Sequence, residues 1–268
     1  MAFELAGNKA KEALKCYRQA AEGGNGDAQF RLGKAHEFGG ELTLAIDLEA
    51  ARTWYQEAAE GGDLDAQCRL GFAYMYGYLG LEIVFEMALM WFEMAAEGDH
   101  IISQWRLGVA YEDGDLGVVT NFETARRYFQ EAAEGGHPDA QHRLGEACEF
   151  GQLTLAIDLE AALEYYQEAA KGGNGNAQWR LGRAYEFGEL TLVIDLGAAR
   201  MWLQKAADGD FEDARYRVIC LNGTPEEKWR LKHGFAQWRL EQEEEEEEQE
   251  EEEPTDGLPH FSLKKRDV

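Results

Sequence analysis

His137 and His142 are the nearest this chain comes to a metal pair, two imidazoles close enough in sequence to meet on one helix. A zinc site needs three or four ligands in tetrahedral array, and no third ligand accompanies them, so no metal is expected. Glu112-Asp113-Gly114-Asp115 gathers the hard oxygens that calcium takes. It lacks the full calcium-loop pattern and reads as a solvated turn. Gly23-Gly24-Asn25-Gly26 has the composition of a phosphate cradle, but glycines recur at the corresponding place along the whole chain, between helical segments, and the stretch reads as an inter-helix turn. Asn222-Gly223-Thr224 has the form of a glycosylation sequon; without a secretory signal it reads as a turn and helix cap. Lys264-Lys265-Arg266 is too short for a nuclear signal and reads as a charged tail end. HExxH, GxxxxGK[ST], GxSxG and the Rossmann glycine fingerprint are absent. No acid–base, nucleophilic or metal set converges, so the expectation is a non-enzyme with no cofactor.

The residues that do recur are not of a catalytic kind. Ala-Gln-x-Arg-Leu-Gly stands at Ala28 to Gly33, Ala66 to Gly71, Ala140 to Gly145 and Ala177 to Gly182. Ser103 to Gly108 is a variant and Ala214 to Val218 a decayed copy. Their arginines fall at 31, 69, 106, 143, 180 and 217, a period of 38 and then 37 residues. A second phrase runs in step, from Ala20-Ala21-Glu22-Gly23 to Ala206-Ala207-Asp208-Gly209. A fixed period of this size marks a stacked repeat array, whose usual work is binding other proteins.

Each period reads as two helices. In the first, Asn25 is a cap candidate, Ala28, Leu32 and Ala35 share a face at helical spacing, and Gly39-Gly40 stops the run after Phe38. Asp47 is the second cap candidate; Ala51, Trp54, Tyr55, Ala58 and Ala59 mark the second face, and Gly61-Gly62 ends it. Five such pairs follow one another. A lone second-type helix, about Lys9 to Glu22, precedes them, and a decayed first-type helix, about Asp213 to Leu221, follows. The link within a pair carries the apolar phrase Leu-Thr-Leu-(Ala/Val)-Ile. It is read as an ordered loop rather than a strand, its apolar side chains packing across neighbouring loops. A glycine inside a helix costs about 1 kcal/mol relative to alanine, so Gly33, Gly71, Gly108, Gly145 and Gly182 are expected where another helix backbone comes close. Trp54, Trp91, Tyr128, Tyr165 and Trp202 are expected as the knobs that fill the inter-repeat space.

The alternation of Ala-x-x-x-Leu-Gly-x-x-Tyr with Ala-x-x-(Trp/Tyr)-(Tyr/Phe)-x-x-Ala-Ala-x-x-Gly resembles the Sel-1-like repeat family, a relative of tetratricopeptide repeats, over about Lys9 to Val218. The family's tyrosine matches Tyr74, Tyr111 and Tyr185 and is replaced by His36 and Cys148; Val84 stands where the other units carry the cap residues Asp47, Asn121, Asp158 and Asp195. The resemblance implies an all-α, right-handed α-α superhelix of about five to six helix pairs spanning residues 9–221, acting as an adaptor in protein complexes. It also implies that first-type helices line a concave side. Counted from the landmark glycine, that side would carry Phe30, Cys68, Trp105, His142 and Trp179, then Lys34, Phe72, Val109, Glu146 and Arg183, then Glu37, Met75, Glu112, Glu149 and Glu186. These positions vary between copies more than the Ala, Leu and Gly positions do. The partner-binding set is taken as Phe30, Cys68, Phe72, Met75, Trp105, Val109, Trp179 and Arg183, with Phe72, Met75, Trp105 and Val109 as an apolar centre inside an acidic rim. The alternative is that some of these aromatics only pack between repeats.

Charge narrows the partner. The chain has 268 residues, 45% of them apolar, and a net charge of −26. Eleven of those charges are glutamates between Glu241 and Glu253, and setting them aside still leaves −15. Such a surface repels nucleic acid and anionic membranes and favours basic or amphipathic polypeptide segments. No stretch of about 18 apolar residues is present to span a membrane. With no basic-then-apolar leader after Met1 and four cysteines without CxxC spacing, a reducing, cytoplasmic location is expected. Thr224-Pro225-Glu226-Glu227 reads as the start of a capping helix over 224–240, with Trp229, Leu231, Phe235 and Trp238 to cover the end of the array. Residues 241–268 read as a disordered acidic tail. The leading functional reading is a non-catalytic scaffold, with a regulatory subunit of an enzyme or a secreted bacterial effector as alternatives.

Overall fold

A computed structural model describes residues 2–39, 44–209 and 211–222. The expected capping helix over 224–240 and the acidic tail over 241–268 lie outside the described residues. Among these, twelve α-helices and no strand are found. In order they are α1 (Ala2–Glu22), α2 (Gly26–Phe38), α3 (Leu48–Glu60), α4 (Leu64–Tyr76), α5 (Phe85–Glu97), α6 (Ile101–Asp113), α7 (Phe122–Glu134), α8 (Pro138–Phe150), α9 (Leu159–Lys171), α10 (Gly175–Phe187), α11 (Leu196–Asp208) and α12 (Glu212–Asn222). Each even-numbered helix up to α10 packs most extensively on the odd-numbered helix that follows it, and less on the one before. The result is a helical-repeat solenoid of five full pairs, with α1 and α12 as half-pairs at its ends. α1 begins at Ala2, earlier than the expected Lys9.

Helix starts follow the capping residues. Asp47, Asn121, Asp158 and Asp195 each accept backbone N–H bonds from the first turn of α3, α7, α9 and α11, at 3.0 Å from the residue three places on. At α5 the position is Val84, which makes no such bond. The first-type helices are capped by Asn25, Asp63 and Asn174 in the same way. Two of them use histidine instead: the Nδ1 of His100 accepts from Ser103 N–H and that of His137 from Ala140 N–H. A ring nitrogen can accept only while it carries no proton.

The first phrase is explained residue by residue. Its leucine is buried in every full pair, as is its alanine, which Ser103 replaces in the third. Gln29, Gln67, Gln141 and Gln178 donate to the carbonyls of Ala21, Ala59, Ala133 and Ala170, the closing alanines of the preceding helix, so the two phrases bond to each other. In the decayed copy Arg215 makes the equivalent bond to Ala207. The glycine receives a side chain, not a helix backbone as expected. A Cβ on Gly33, Gly71, Gly108 or Gly145 would lie 2.6–2.9 Å from the ring of Tyr55, Phe92, Phe129 or Tyr166; at Gly182 it would meet Leu203. These five are fully buried. The intra-pair knob is therefore the residue after each expected aromatic. Trp54, Trp91, Tyr128, Tyr165 and Trp202 pack between repeats as expected, each in a cluster with the first-type helix of its own pair and the second-type helix before it.

The links also differ from expectation. After the left-handed glycine that ends α4, α6, α8 and α10, Leu79, Leu116, Leu153 and Leu190 take φ between 50° and 56° and are buried to 4% exposure or less. That burial offsets a left-handed backbone costing about 1–3 kcal/mol. Thr154 and Thr191 follow at φ 62° and 63°, where other units have Gly80 and Gly117. The isoleucines do not pack across neighbouring loops: Ile46, Ile157 and Ile194 are about two-thirds exposed. Each link is closed by a backbone bond from the cap residue to the carbonyl at the family's tyrosine position, as in Asp158 N–H to Cys148 O and Asp195 N–H to Tyr185 O. The bond needs no particular side chain there, so His36 and Cys148 leave it intact.

Two stability changes follow. Thr191 is exposed and held at φ 63°, so Thr191→Gly relieves backbone strain and is expected to stabilise by about 0.5–1 kcal/mol; a lower urea midpoint would contradict this. Burial pushes the His137 imidazole below its ordinary range. The unfolded ring takes a proton near pH ~6.5, while the folded one resists it to lower pH. Between those two points the unfolded state binds more protons, so stability rises with pH. It is full above ~6.5, falls as pH drops through that value, and levels off below the folded value. Asparagine caps without titrating, so His137→Asn should lose less stability than the wild type between about pH 7.5 and about 5.5. Urea midpoints at both pH values decide it, and equal losses would show that the cap is not the titrating contact.

Candidate functional site

The arginine of the first phrase reaches back one repeat. Arg69 pairs with Glu37, Arg143 with Glu112, Arg180 with Glu149 and Arg217 with Glu186. The Nε bonds measure 3.0, 2.9, 3.0 and 2.8 Å. Two of these carboxylates also accept from the ring that fills the glycine: Tyr55 Oη donates to Glu37 and Tyr166 Oη to Glu149, both at 2.8 Å. The glutamates expose 7–18% of their side chains. The acidic rim expected on this face is thus an internal ladder, its charge matched by the next repeat. The recurring Glu-to-Arg separation of 31 or 32 residues was the sequence signal for it.

The ladder breaks once. In the second pair the glutamate position is Met75 and the ring is Phe92, so acceptor and hydroxyl are lost together. Arg106 Nε lies 3.3 Å from Met75 Sδ, and its guanidinium turns to Asp115 in its own repeat.

The same face opens into a groove of about 470 Å³ between α8 and α10. His142, Glu146, Glu149 and Phe150 form one wall, Asn176, Trp179, Arg180 and Arg183 the other, with Tyr166 and Glu189 completing it. Burial lowers the His142 imidazole pKa, against the pull of Glu146, Asp139 and Glu149. Arg183 lies over the Trp179 ring, 5.1 Å from its centroid, and 3.7 Å from Glu189.

The sequence-derived partner set divides by burial. Trp179 and Arg183 line the groove. Phe72 packs edge-on to Phe92 at 5.0 Å, and with Met75 it joins the core around Leu107. Trp105 and Val109 join the next core, around Phe129 and Leu144, and the Trp105 ring stacks on His137 at 5.1 Å. The four are half-buried and belong to two adjacent core clusters. Phe30 leans on Tyr55 at 5.5 Å. Cys68 is 5% exposed, and burial raises its thiol pKa to about 11, so it is a core residue with almost no surface to offer. His137 and His142 are held apart in function, one capping α8 and the other packed against Tyr166. No helix among the described residues is long and apolar enough to cross a membrane.

Known proteins agree with this architecture. The Sel1 repeat model matches residues 7–25, 26–63, 64–100, 101–137, 138–174 and 175–211. The first match falls on the half-pair α1, and the other five coincide with the five helix pairs, each opening on a first-type helix. Among solved structures, a Sel1 repeat protein from Oxalobacter formigenes is 32% identical, covering 75% of this chain and 80% of that one, with a TM-score of 0.69. The c5321 protein, described as a protective antigen present in uropathogenic Escherichia coli strains and displaying an SLR fold, is 29% identical with a TM-score of 0.67. The match covers 83% of this chain but only 49% of c5321, about half its length. No curated protein matches. Sel1 repeats generally serve as protein-interaction scaffolds. With six matched units spread over most of its length and the repeat contacts described above, this chain belongs to the Sel1 repeat family.

Proposed function

We propose that this protein is a non-catalytic scaffold that holds a partner polypeptide along its first-type helices. The observation that carries the reading is the groove between α8 and α10, continuous in register with half-exposed side chains that differ from copy to copy. Core positions keep one residue type because every pair must bury the same knob, whereas a face that meets a partner need not. Phe30, Phe72, Met75, Trp105, Val109, Trp179 and Arg183 are the contact residues of this reading, with Cys68 withdrawn because it is buried. The partner is a polypeptide with basic or amphipathic segments. That chemistry now rests on the net charge of −26, since the ladder glutamates are already paired. Nucleic acid is disfavoured on the same ground, and the cytoplasm suits four free thiols.

The experiment compares three variants for melting temperature and for affinity toward a partner captured from native lysate. Trp105→Ala and Trp179→Ala are expected to weaken binding by ~2 kcal/mol or more, about thirtyfold, as for aromatic anchors at an interface centre. Leu107→Ala opens a cavity in a fully buried site and should cost about 2–5 kcal/mol of stability, more than either tryptophan change. If Trp105→Ala lowers stability as much as Leu107→Ala and both tryptophan variants bind normally, these side chains are inter-repeat core and the reading fails.

A further inference from the structure

The link edge of the solenoid carries a second surface, made of residues that do not line the groove. Ile46, Ile83, Ile157 and Ile194 occupy one position, just before the cap of each second-type helix, and are 67%, 59%, 67% and 65% exposed. One residue past the cap stand Leu48, Phe85, Phe122, Leu159 and Leu196, all 39–49% exposed. Val119 and Val193, in the third and fifth links, are more than 80% exposed. A hydrophobic residue before a helix cap commonly staples onto the fourth helical residue. That role would bury these isoleucines, and the core below is already filled by Leu79, Leu116, Leu153 and Leu190. Each link from the second on thus presents at least two such exposed apolar side chains, so the exposure recurs at every pair rather than at one isolated residue.

The row is rigid and acid-framed. A Cβ on Gly151 or Gly188 would lie 3.2 Å from Ile157 or Ile194, so each isoleucine rests on the glycine that ends the preceding helix. The closing backbone bond of each link pins the adjacent cap. Glu49, Glu86, Glu123 and Glu160 stand exposed beside the row in the first turn of four of the five second-type helices, and they outnumber Arg126, which reaches the same edge by bonding Thr154 of the fourth link at 3.1 Å. Unlike the ladder glutamates, they form no ion pair among the described residues. This frame decides between occupants. A second copy would set the same carboxylates against themselves, and a chain of net charge −26 is repelled by an anionic membrane. We infer that the link edge is a docking surface for a partner helix or strand whose apolar face is flanked by lysine or arginine. It is independent of the groove and stands or falls separately.

The test uses the full chain and a labelled peptide of leucine and lysine, about 18 residues long, patterned as an amphipathic helix. A scrambled peptide of the same composition is the control, and binding is read by fluorescence anisotropy. Thr120 already occupies the isoleucine position in the third link, so Ile83→Thr/Ile157→Thr/Ile194→Thr is a conservative variant. The single change Ile157→Thr covers the case in which the triple variant unfolds. The patterned peptide should bind the wild type more tightly than the scrambled one. The triple variant should lose about tenfold, the single change less, and Trp105→Ala nothing. Unchanged binding by a folded triple variant, or equal binding of the two peptides, would overturn the inference. So would a wild-type dimer in sedimentation that the triple variant abolishes, since that makes a second copy the occupant.

Discussion

A bulky side chain driven into the gap over a glycine, a ring in four of the five pairs, holds each helix pair together, and most of the sequence follows from it. Tyr55, Phe92, Phe129 and Tyr166 approach Gly33, Gly71, Gly108 and Gly145 so closely that a single Cβ would collide with the ring. The glycine weakens its helix by about 1 kcal/mol; full burial of an aromatic side chain returns more than that. Once the ring is seated, the distance between the two helices is set, and the small alanines around it follow. The last pair substitutes Leu203 for the ring and keeps the glycine, so the contact needs bulk at that point more than aromaticity.

Stacking of one pair on the next uses polar contacts of fixed direction. Gln29, Gln67, Gln141 and Gln178 bond an alanine carbonyl at the end of the helix before them, and Arg69, Arg143, Arg180 and Arg217 bond a glutamate one repeat back. Both are bonds between neighbours, so the array is held by a chain of local ties rather than by one central core. Half-buried ion pairs add little net stability, but leaving either partner alone is costly. At Met75 the missing carboxylate is the change that matters, because the rungs at Glu112 and Glu186 stand without a ring hydroxyl, beside Phe129 and Leu203. Phe92 supplies no hydroxyl, Met75 supplies no carboxylate, and Arg106 finds Asp115 instead. One local apolar environment replaces one local polar one, and the cost of an orphaned charge is avoided.

The periodicity made the fold legible because every repeat must solve the same packing problem, and the solutions appear as recurring letters. The caps at Asn25, Asp47, Asn121, Asp158 and Asp195 could be read directly, as could the missing one at Val84, since capping depends on one side chain and its own first turn. What stayed hidden depends on direction. Trp54 and Tyr55 are adjacent large residues, and the sequence does not say which points into its own pair and which toward the last one. The links were misread for a different reason. Three consecutive residue types, Leu-Thr-Leu, look like packing material, yet Leu153 and Thr154 take left-handed backbone that these residues rarely adopt. That conformation turns the leucine inward and leaves the isoleucine outside. The candidate site suffered most, because Glu37, Glu112, Glu149 and Glu186 look like surface acid until the arginine 31 or 32 residues on is placed beside them.

The ladder also changes what the protein's charge means. Acidic residues that pair along the first-type helices cannot attract a partner, so the excess that gives −26 must act elsewhere. Among the described residues part of it stands on exposed first turns of second-type helices, at Glu49, Glu86, Glu123 and Glu160, and part at their far ends, at Glu60, Glu97 and Glu134. The two faces therefore differ in kind. On the first-type face four glutamates are matched by arginines, and the side chains around the groove differ from unit to unit. The link edge carries long-range charge around a uniform apolar row. A partner that uses the groove is selected by local fit, whereas one that uses the edge is drawn by a field that salt screens over about 10 Å at 0.1 M. Because the row repeats and the groove does not, a segment on the edge can sit in several registers, while one in the groove has a single place.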